Sequence, residues 1–387
     1  MTLRAGLVGC GFISDIYLTN LAKFRDVAVV ACADRAPEAA ARQAARYGLD
    51  PRPVAELLRA DDIDLVLNLT TPDAHAEVSL AAIEAGKSVY SEKPLAARFA
   101  DGERIVAAAK AKGVAVGAAP DTVLGPGYQE ARALIDSGAI GRPLSALAAV
   151  MSHGYEHWHP SPAFYYQPGG GPLLDMGPYY LSALASLLGP VAEVQALGQI
   201  GFAERIVTTP GSPNLGQKIR VETLTSVQAL LSFANGAQAT LLASFDVWRH
   251  GLAPIELHGE TASLRLPDPN FFAGDLAIAV GREDWRAVPL SHRLLGAANW
   301  PADKPKQSNW RGLGIADLAR AVIDKREPRA SGAFGLHVLA AMDAILSAAV
   351  ERKAISVTAP FTQPAALGDA EIAQWLKPEA GEALARV

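Results

Sequence analysis

A glycine turn between two apolar runs is the feature that most narrows what this chain can fold into. Residues 3–8 are largely apolar, Gly9-Cys10-Gly11-Phe12-Ile13-Ser14 follows, and the next apolar residues are spaced as on a helix. A second apolar run, residues 27–33, ends at Asp34. Strand, glycine turn, helix, strand and acid within about 30 residues predict one βαβ unit of a dinucleotide-binding fold.

Each part of this unit has a physical role in holding a dinucleotide. Gly9 permits the tight turn, Gly11 lets a pyrophosphate approach the backbone, and the helix that follows offers unpaired N–H groups. The third glycine position holds Ser14, so the motif alone is incomplete. Asp34 would bond a ribose and repel a 2′-phosphate, which favours NAD, although Arg35 could instead hold a phosphate, so NADP stays possible. A glycine turn that binds nothing is the alternative.

Strand and helix patterns continue to alternate as far as residue 118. We predict helices over 36–47, 72–85 and 101–112, and strands over 63–69, 88–91 and 114–118. This alternation indicates a doubly wound parallel sheet, whose ligands bind at the carboxyl ends of the strands. Thr70, Thr71 and Lys93 follow predicted strands at that edge, as do Gly9 and Asp34.

Residues 1–121 are therefore predicted to form a Rossmann domain, and residues 122–387 a second α/β domain. The second domain's predicted strands are 144–151, 191–200, 222–233, 237–245, 254–258 and 263–266. Its predicted helices are 127–137, 180–188, a helix ending at 323, and 334–349. Short turns between strands, with a hairpin at Asn235-Gly236, indicate a large, mostly antiparallel open sheet. Residues 203–217 are interpreted as a loop or an excursion from the sheet, and the segment after Gly368 is left unassigned.

Charge and composition exclude several classes of function. The chain has 35 Lys plus Arg, 40 Asp plus Glu, a net charge of −5 and no basic run, so we expect no nucleic-acid partner. Cys10 and Cys32 cannot form a disulfide framework and are expected to be small buried residues. No uncharged apolar run reaches the ~18 residues that span a bilayer, and no signal peptide is recognised. We expect a cytoplasmic protein without a membrane partner.

Residues 152–171 combine aromatic rings with polar groups in one segment, SHGYEHWHPSPAFYYQPGGG. Sugars stack their C–H faces on rings while their hydroxyls pair with polar groups, so this composition predicts a substrate-facing loop. The candidate substrate residues are His153, Trp158, His159 and Tyr166. Three imidazoles within a few residues would also suit a metal, and a crowded structural loop is a third alternative. We expect no metal site.

Three short motifs follow the glycine turn along the chain. They are Asn68-Leu69-Thr70-Thr71-Pro72 with His75, Glu92-Lys93-Pro94, and Gly169-Gly170-Gly171-Pro172-Leu173-Leu174-Asp175-Met176-Gly177. Together with the glycine turn they make the sequence resemble the Gfo/Idh/MocA oxidoreductase family over nearly the whole chain. The resemblance implies a Rossmann domain, a second domain whose open sheet serves oligomerisation, and NAD(P)-dependent oxidation or reduction of a sugar, cyclitol or related polyol. We expect a homodimer or homotetramer through that sheet, because its open face needs a cover.

The motifs and the resemblance together nominate the residues that contact the cofactor. They are Gly9, Gly11, Phe12, Ile13, Asp34, Arg35, Thr70, Thr71, Pro72, His75, Glu92 and Lys93.

Lys93 is the leading candidate for the catalytic acid–base. Hydride removal from a carbinol carbon leaves a proton on oxygen, and in the reverse direction an ammonium would protonate the carbonyl. Burial and a neighbouring positive charge, such as that of an oxidised nicotinamide, can lower the pKa of a lysine from about 10.4 towards neutrality. Asp175 would orient this base or bond a substrate hydroxyl, besides capping a helix. A lysine at the surface is the alternative.

Tyr179 is a departure from the family pattern, which places a histidine four residues after the aspartate. A phenol is a poor base at pH 7 but a fair hydrogen-bond donor, so the base role shifts further onto Lys93 or another histidine. Lys93, Asp175 and Tyr179 are the candidate catalytic residues and also candidate substrate contacts, with packing as the alternative for Tyr179. Arg311 either reaches this site or lies at the surface, and His337 is expected to be a packed core residue.

Three functions are compatible with these residues. The leading one is an NAD(P)-dependent dehydrogenase or reductase that acts on a secondary alcohol or ketone of a sugar, glycoside or cyclitol. Some enzymes of the family retain NAD and cleave glycosidic bonds through a transient oxidation, which is the second. The third is a non-catalytic nucleotide-sensing regulator, which the presence of Lys93 disfavours.

Overall fold

A six-stranded parallel sheet forms the start of the chain in the computed structural model, which describes residues 1–290, 293–297, 299 and 308–384. Its strands are β1 (Leu3–Val8), β2 (Val27–Ala33), β3 (Asp50–Pro51), β4 (Leu65–Asn68), β5 (Ser88–Ser91) and β6 (Val116–Ala118). Their order is β3-β2-β1-β4-β5-β6 with every pair parallel. This is the order of a doubly wound dinucleotide-binding sheet, which confirms the predicted fold class.

Helices connect these strands and cover the sheet. They are α1 (Ser14–Leu21), α2 (Pro37–Tyr47), α3 (Val54–Arg59), α4 (Pro72–Glu84) and α5 (Phe99–Lys112). Every residue of β4 and β5 is buried, as a parallel sheet covered on both faces requires. Proline stands at the first position of α2 and α4, where its missing N–H costs nothing, so both helices begin where the sequence indicated.

A nine-stranded mixed sheet follows. The elements are α6 (Pro126–Asp136), β7 (Pro143–Met151), α7 (Pro172–Leu188), β8 (Val191–Gln199), β9 (Glu204–Ile206), β10 (Lys218–Arg220), β11 (Ser226–Phe233), β12 (Gln238–Ser244), β13 (Ile255–Gly259), β14 (Ala262–Leu266), β15 (Ala277–Val280), β16 (Arg286–Ala287), α8 (Leu313–Asp324), α9 (Gly332–Glu351), β17 (Ile355–Ser356), α10 (Asp369–Trp375) and α11 (Pro378–Leu384). The order in the nine-stranded sheet is β16-β15-β14-β13-β7-β12-β11-β8-β17, and only β7 and β12 pair in parallel among these described strands. β9 and β10 pair with each other in a separate two-stranded sheet. The mostly antiparallel open sheet is confirmed.

Helices cover one face of this second sheet. α6, α7 and α9 pack against its strands, and the side chains of β11 alternate between buried and more exposed positions. Leu197 on β8 and Leu230 on β11 are 56% and 58% exposed on the other face. That face therefore presents apolar side chains to solvent.

The end of the chain returns to the first sheet. α8 packs on β6, β2 and α1, while α9 packs on α5 and β6 and also on α7 and β8 of the second half. The main-chain N–H of Arg25 donates to the carbonyl of Trp375, which places α10 beside the end of α1. α9 is long and apolar enough to cross a membrane, but 61% of that apolar window is buried inside this fold, as is typical of a core helix.

Several sequence-based boundaries are wrong. α7 begins at Pro172, not at residue 180, because Pro178 is tolerated within its second turn and does not break it. Residues 203–217 are not a plain loop, since β9 lies within them and pairs with β10. The strand predicted from 222 begins at Ser226, and the unassigned tail contains α10 and α11.

Candidate active site

The glycine turn between β1 and α1 has the shape that a dinucleotide requires. Gly9 has φ +101°, and a Cβ there would lie 2.5 Å from the carbonyl carbon and oxygen of Leu69. A Cβ on Gly11 would meet no atom within 4 Å, so the space above it is open. Ile13 is the N-cap of α1, and among the described residues no side chain caps this helix. The first of its amides, the Ser14 N–H, donates to the Gly11 carbonyl at 3.0 Å, and no side-chain cap in the described part of the chain stands between the next amides and a ligand anion. Phe12 beside them is 94% exposed.

Ser14 and Asp34 brace this turn. The Ser14 hydroxyl donates to the carbonyl of Gly11 at 2.6 Å, which explains how serine serves at the third position of the motif. Asp34 accepts one hydrogen bond from the Cys10 N–H and one from the Ala36 N–H, both at 2.8 Å. Its carboxylate thus lies at the end of β2 beside the turn, where it fits an adenosine ribose.

The turn after β4 and the Glu92-Lys93-Pro94 segment are tied together by His75. Its Nδ1 lies 2.7 Å from the carbonyl oxygen of Pro94 and its Nε2 lies 3.0 Å from that of Thr70. Because His75 is fully buried with both nitrogens occupied, it holds the two segments in place instead of offering a free nitrogen to a cofactor. Thr71, at the N-cap of α4, is exposed, Thr70 and Pro72 are half-buried, and Arg35 is exposed.

Glu92 is also occupied by the protein itself. It accepts a hydrogen bond from the Tyr17 hydroxyl of α1 at 2.7 Å and one from the main-chain N–H of Lys93 at 2.8 Å. The carboxylate thereby connects the dinucleotide helix to the segment that carries Lys93. The uncapped start of α1, the open space at Gly11 and the acid at the end of β2 together fit a bound dinucleotide.

Lys93 lies at the carboxyl end of β5 and is bound to Asp175. Its ammonium donates to the main-chain oxygen of Asp175 at 2.6 Å and to Oδ1 at 3.1 Å. The two side chains are 17% and 18% exposed, and Nζ lies 5.1 Å from the centre of the Tyr179 ring. An ammonium has three N–H groups, so one remains to face a ligand oxygen.

The charges around Lys93 favour its protonated form. Burial lowers the pKa of Lys93, but Asp175, Tyr179 and Glu92 act in the opposite direction and the pKa is raised overall. The expectation that the pKa of Lys93 is lowered towards neutrality is therefore wrong as far as the protein's own groups are concerned, because they raise it. At neutral pH Lys93 is an ammonium, ready to donate a proton.

Asp175 lies in the first turn of α7, as its fourth residue, and does not cap the helix. The N-cap of this helix is Gly171, with φ +92°, and the N–H of Asp175 donates to the Gly171 carbonyl. This differs from the predicted capping role, because the helix starts earlier than expected. The carboxylate is directed at the site: Oδ1 accepts from Lys93, and Oδ2 accepts from the Tyr155 hydroxyl at 2.7 Å.

Tyr179 is paired with Arg311. The guanidinium Nη2 lies 3.2 Å from the Tyr179 oxygen, to which it donates, and Arg311 also donates to Asn270 Oδ1 at 2.7 Å and Asn309 Oδ1 at 3.0 Å. Arg311 is 7% exposed, so it reaches the site and is not a surface residue. The Asn20 amide of α1 donates to the Arg311 carbonyl at 3.0 Å, which links this arginine to the dinucleotide helix.

A cavity of about 120 Å³ lies beside Lys93 and Asp175. Phe164, Tyr165 and the glycines that precede α7 form its other wall. A larger cavity, about 810 Å³, lies near the amino ends of β1 and β5, at the opposite edge of the parallel sheet, and is lined by none of the candidate catalytic residues. The smaller cavity is the one that places chemistry and aromatic faces together.

The four substrate residues predicted in segment 152–171 do not line this cavity. His153 stacks on Trp248, with ring centres 3.3 Å apart, in a separate groove of about 720 Å³ that Trp158 also lines. The His159 ring accepts the N–H of Ser161. Tyr166 is fully buried and its hydroxyl donates to Glu156, which takes it away from any ligand. Among the described residues no cluster of His, Cys, Asp and Glu could hold a metal.

Sequence reasoning did not assign Tyr155 to the site, and it left Arg311 open between the site and the surface. Both contact candidate catalytic groups through the side chain, across 20 and 132 positions of sequence. The aromatic composition around Tyr155 predicted that the segment faces the site, but it did not single out Tyr155 within the segment. Arg311 had no signal beyond its place before a helix.

Both halves of the chain match domains of one family. Residues 3–119 match the NAD-binding Rossmann fold of the GFO/IDH/MocA oxidoreductase family, and residues 128–265 match the GFO/IDH/MocA C-terminal domain. Inositol 2-dehydrogenase 3 of Saccharopolyspora erythraea is 31% identical over 341 residues, which cover 84% of this chain and 93% of the relative. Levoglucosan dehydrogenase of Pseudarthrobacter phenanthrenivorans is 28% identical over 291 residues, 68% of this chain and 73% of the relative. The structure of a levoglucosan dehydrogenase with NADH and levoglucosan has a TM-score of 0.78 at 25% identity, covering 92% of this chain and all of that one.

Proposed function

The chain belongs to the GFO/IDH/MocA family of NAD(P)-dependent oxidoreductases, and we propose that it transfers a hydride between NAD and a secondary alcohol or ketone of a sugar, glycoside or cyclitol, with Lys93 as the acid–base. The observation that carries the proposal is the position of Lys93. Its ammonium lies at the carboxyl end of β5, bonded to Asp175 and facing a cavity with aromatic walls.

The residues around the glycine turn are those we propose to hold the cofactor. The amides at the start of α1 would bind its pyrophosphate, and Asp34 would bind the adenosine ribose, which favours NAD over NADP. Thr70 and Thr71 border the same edge of the sheet. Bound NAD supplies the hydride acceptor for oxidation, and NADH supplies the donor for reduction.

Lys93 handles the proton that accompanies the hydride. In oxidation the C–H bond of the carbinol breaks with its electron pair as hydride, the hydroxyl proton passes to the neutral amine, and a C=O bond forms. In reduction the ammonium gives its proton to the alkoxide oxygen as the hydride arrives at carbon. Because the protein's own charges raise the pKa of Lys93, the residue carries a proton before the cofactor binds, and oxidation requires that this proton is lost first.

Tyr179 and Arg311 supply a second contact to the substrate oxygen. Since the phenol oxygen of Tyr179 accepts a hydrogen bond from Arg311, its own hydrogen is free to be donated. We assign Tyr179 the role of a donor that helps hold the substrate oxygen near Lys93. No imidazole is needed for this role.

A cyclic polyol is the substrate class that we propose. Two similar proteins are an inositol 2-dehydrogenase and a levoglucosan dehydrogenase, both named for ring compounds rich in hydroxyl groups. Phe164 and Tyr165 border the cavity and would pack against the C–H face of such a ring. His153, Trp158 and His159 stay candidates for a more distant part of the ligand.

The remaining assignments concern the whole chain. We propose a boundary near residue 121 between a Rossmann domain and a substrate and oligomerisation domain, a homodimer or homotetramer, and a cytoplasmic location. The exposed leucines of β8 and β11 support the oligomer.

The test uses purified protein with NAD⁺ or NADP⁺ and a panel of inositols, anhydrosugars and glycosides, while NADH absorbance is followed. We expect turnover of at least one ring polyol and a loss of about 10³-fold or more in kcat for Lys93→Met. NADH binding by that variant, measured by fluorescence, should stay near the wild-type level. Full activity of Lys93→Met, or release of an aglycone without net NADH, would contradict the proposal.

A further inference from the structure

We propose that a buried network of Arg205, Glu156 and Tyr166 is a positioning device that fixes Tyr155 and, through it, the Asp175 carboxylate that faces Lys93. The inference rests on the proposed acid–base role of Lys93. It gives a function to Tyr166, which is buried away from any ligand, and to the β9 segment, which the redox chemistry leaves unexplained.

Tyr155 is held at both of its ends. Its hydroxyl donates to Asp175 Oδ2 at 2.7 Å, and its main-chain N–H donates to the Tyr166 oxygen at 3.1 Å. Tyr165 packs edge-on against the Tyr155 ring, with centres 4.4 Å apart. The position of the hydroxyl therefore depends on Tyr166 as directly as on the ring's own packing.

Tyr166 is in turn fixed by a buried ion pair. Its hydroxyl donates to Glu156 Oε2, while Glu156 Oε1 accepts from Arg205 at 2.9 Å. The Arg205 and Glu156 side chains are 4% and 8% exposed, and Arg205 also pairs with Asp246. The network thus runs from β9 to the residue that touches Asp175.

A role in positioning explains why this network is ionic. Buried ion pairs contribute little net stability compared with well-packed apolar groups, and their attraction offsets the cost of desolvation only while their geometry and hydrogen bonds are kept. Segment 152–171 has one short helical turn, Pro162–Tyr166, before α7 starts. Around Tyr155 no strand or helix among the described residues holds the backbone. A turn does, in which the His159 N–H donates to the Tyr155 carbonyl at 2.8 Å, and the side-chain contacts to Tyr166 and Asp175 add to it.

The expected readout is the pKa of Lys93. The groups that face it are Glu92 just after β5, Asp175 and Tyr179 from α7, and Tyr165 from the aromatic segment, with Arg311 behind Tyr179. If Asp175 loses its fixed partner, its carboxylate is free to rotate away from Nζ. Burial then acts on Lys93 with less compensation, so the pKa of Lys93 falls.

The experiment compares Tyr155→Phe, Tyr166→Phe and the double variant of the full-length protein. The pKa of Lys93 is read from the pH dependence of its acetylation by acetic anhydride, followed by mass spectrometry, and the pH profile of kcat/KM is measured in parallel. We expect a lower pKa of Lys93 in both single variants and a fall in kcat on the order of 10-fold for Tyr155→Phe. The double variant should match Tyr155→Phe alone, because both substitutions break one chain of contacts.

Controls separate positioning from stability. Tyr128 on α6 is another buried tyrosine, and its hydroxyl donates to the Pro267 carbonyl at 2.8 Å. Tyr128→Phe removes that hydroxyl and should leave the acetylation of Lys93 unchanged. Glu156→Gln tests the network a second way should Tyr166→Phe not fold, and should lower the pKa of Lys93 as well. An unshifted pKa of Lys93 in these variants, or additive effects in the double variant, would overturn the inference. Acetylation needs no substrate, so an absence of turnover would count against the proposed function and leave the network test intact.

Discussion

Asp175 helps to raise the pKa of Lys93, which gives a pH-dependent prediction. Its carboxylate opposes the burial of Lys93 and raises the pKa of that amine. In Asp175→Asn the carboxylate charge is lost, so the pKa of Lys93 falls and the neutral amine is present at lower pH. We expect the rising limb of the oxidation profile, kcat/KM against pH, to move to lower pH, with a lower maximum rate. A limb that stays in place or moves to higher pH would contradict the pairing.

Tyr179 is predicted to act through its hydroxyl. Tyr179→Phe keeps the ring beside Lys93 but removes the group that bonds Arg311, so we expect kcat/KM to fall by about 10- to 100-fold. Steady-state kinetics with one ring polyol measure the effect. Tyr180→Phe is the matched control, because this neighbouring tyrosine is buried on the same helix and its charged neighbour is Asp268 instead of Arg311. Equal losses in the two variants would show that only packing matters.

Site residues that lie in short sequence motifs could be predicted, whereas those that come from other parts of the sequence could not. Lys93 and Asp175 could be nominated because each follows a recognisable local pattern, and they are indeed in contact. Tyr155 and Arg311 reach the same place from distant parts of the sequence, so only the folded chain reveals them. Tyr166 shows the converse, since an aromatic side chain with a polar tip suits a ligand and a buried ion pair equally well.

At the level of elements, the turn between β1 and α1 predicts opposite outcomes for its two glycines. Gly9→Ala forces a Cβ against the Leu69 carbonyl at a positive φ, so we expect a loss of more than about 2 kcal/mol in the free energy of unfolding. Gly11→Ala meets open space, so the melting temperature should hold while NADH binding weakens. Thermal denaturation and fluorescence titration measure the two effects. Tight NADH binding by Gly11→Ala would contradict a pyrophosphate at this turn.

The predictable elements are those with strong periodicity or a clear stop. β5 and the hairpin at Asn235-Gly236 follow from local sequence, and Gly236 has the positive φ that its turn needs. The start of α7 was missed because Pro178 resembles a breaker, although packing on α9 and the second sheet supports the helix around it. α10 was missed because its position depends on contacts with Arg25, far away in sequence.

For the whole molecule, the uncovered face of the second sheet predicts self-association. Leu197 and Leu230 lie there, more than half exposed, above a shallow cavity of about 700 Å³. Leu230→Glu places a charge in this apolar face and should convert the oligomer to monomer without unfolding it. Light scattering after size-exclusion chromatography measures the mass, with Val350→Glu, an exposed residue on α9, as the control. A wild-type monomer would contradict the prediction.

α9 packs on elements of both halves of the chain, on α5 and β6 in the first half and on α7 and β8 in the second. A hinge that swung the two halves apart would have to strip this helix from one of them. We therefore expect the proposed substrate to enter and leave through local rearrangement of the aromatic segment, residues 152–171. We expect the rate of that local rearrangement, and not a movement of one half of the chain against the other, to limit how quickly substrate binds and product leaves.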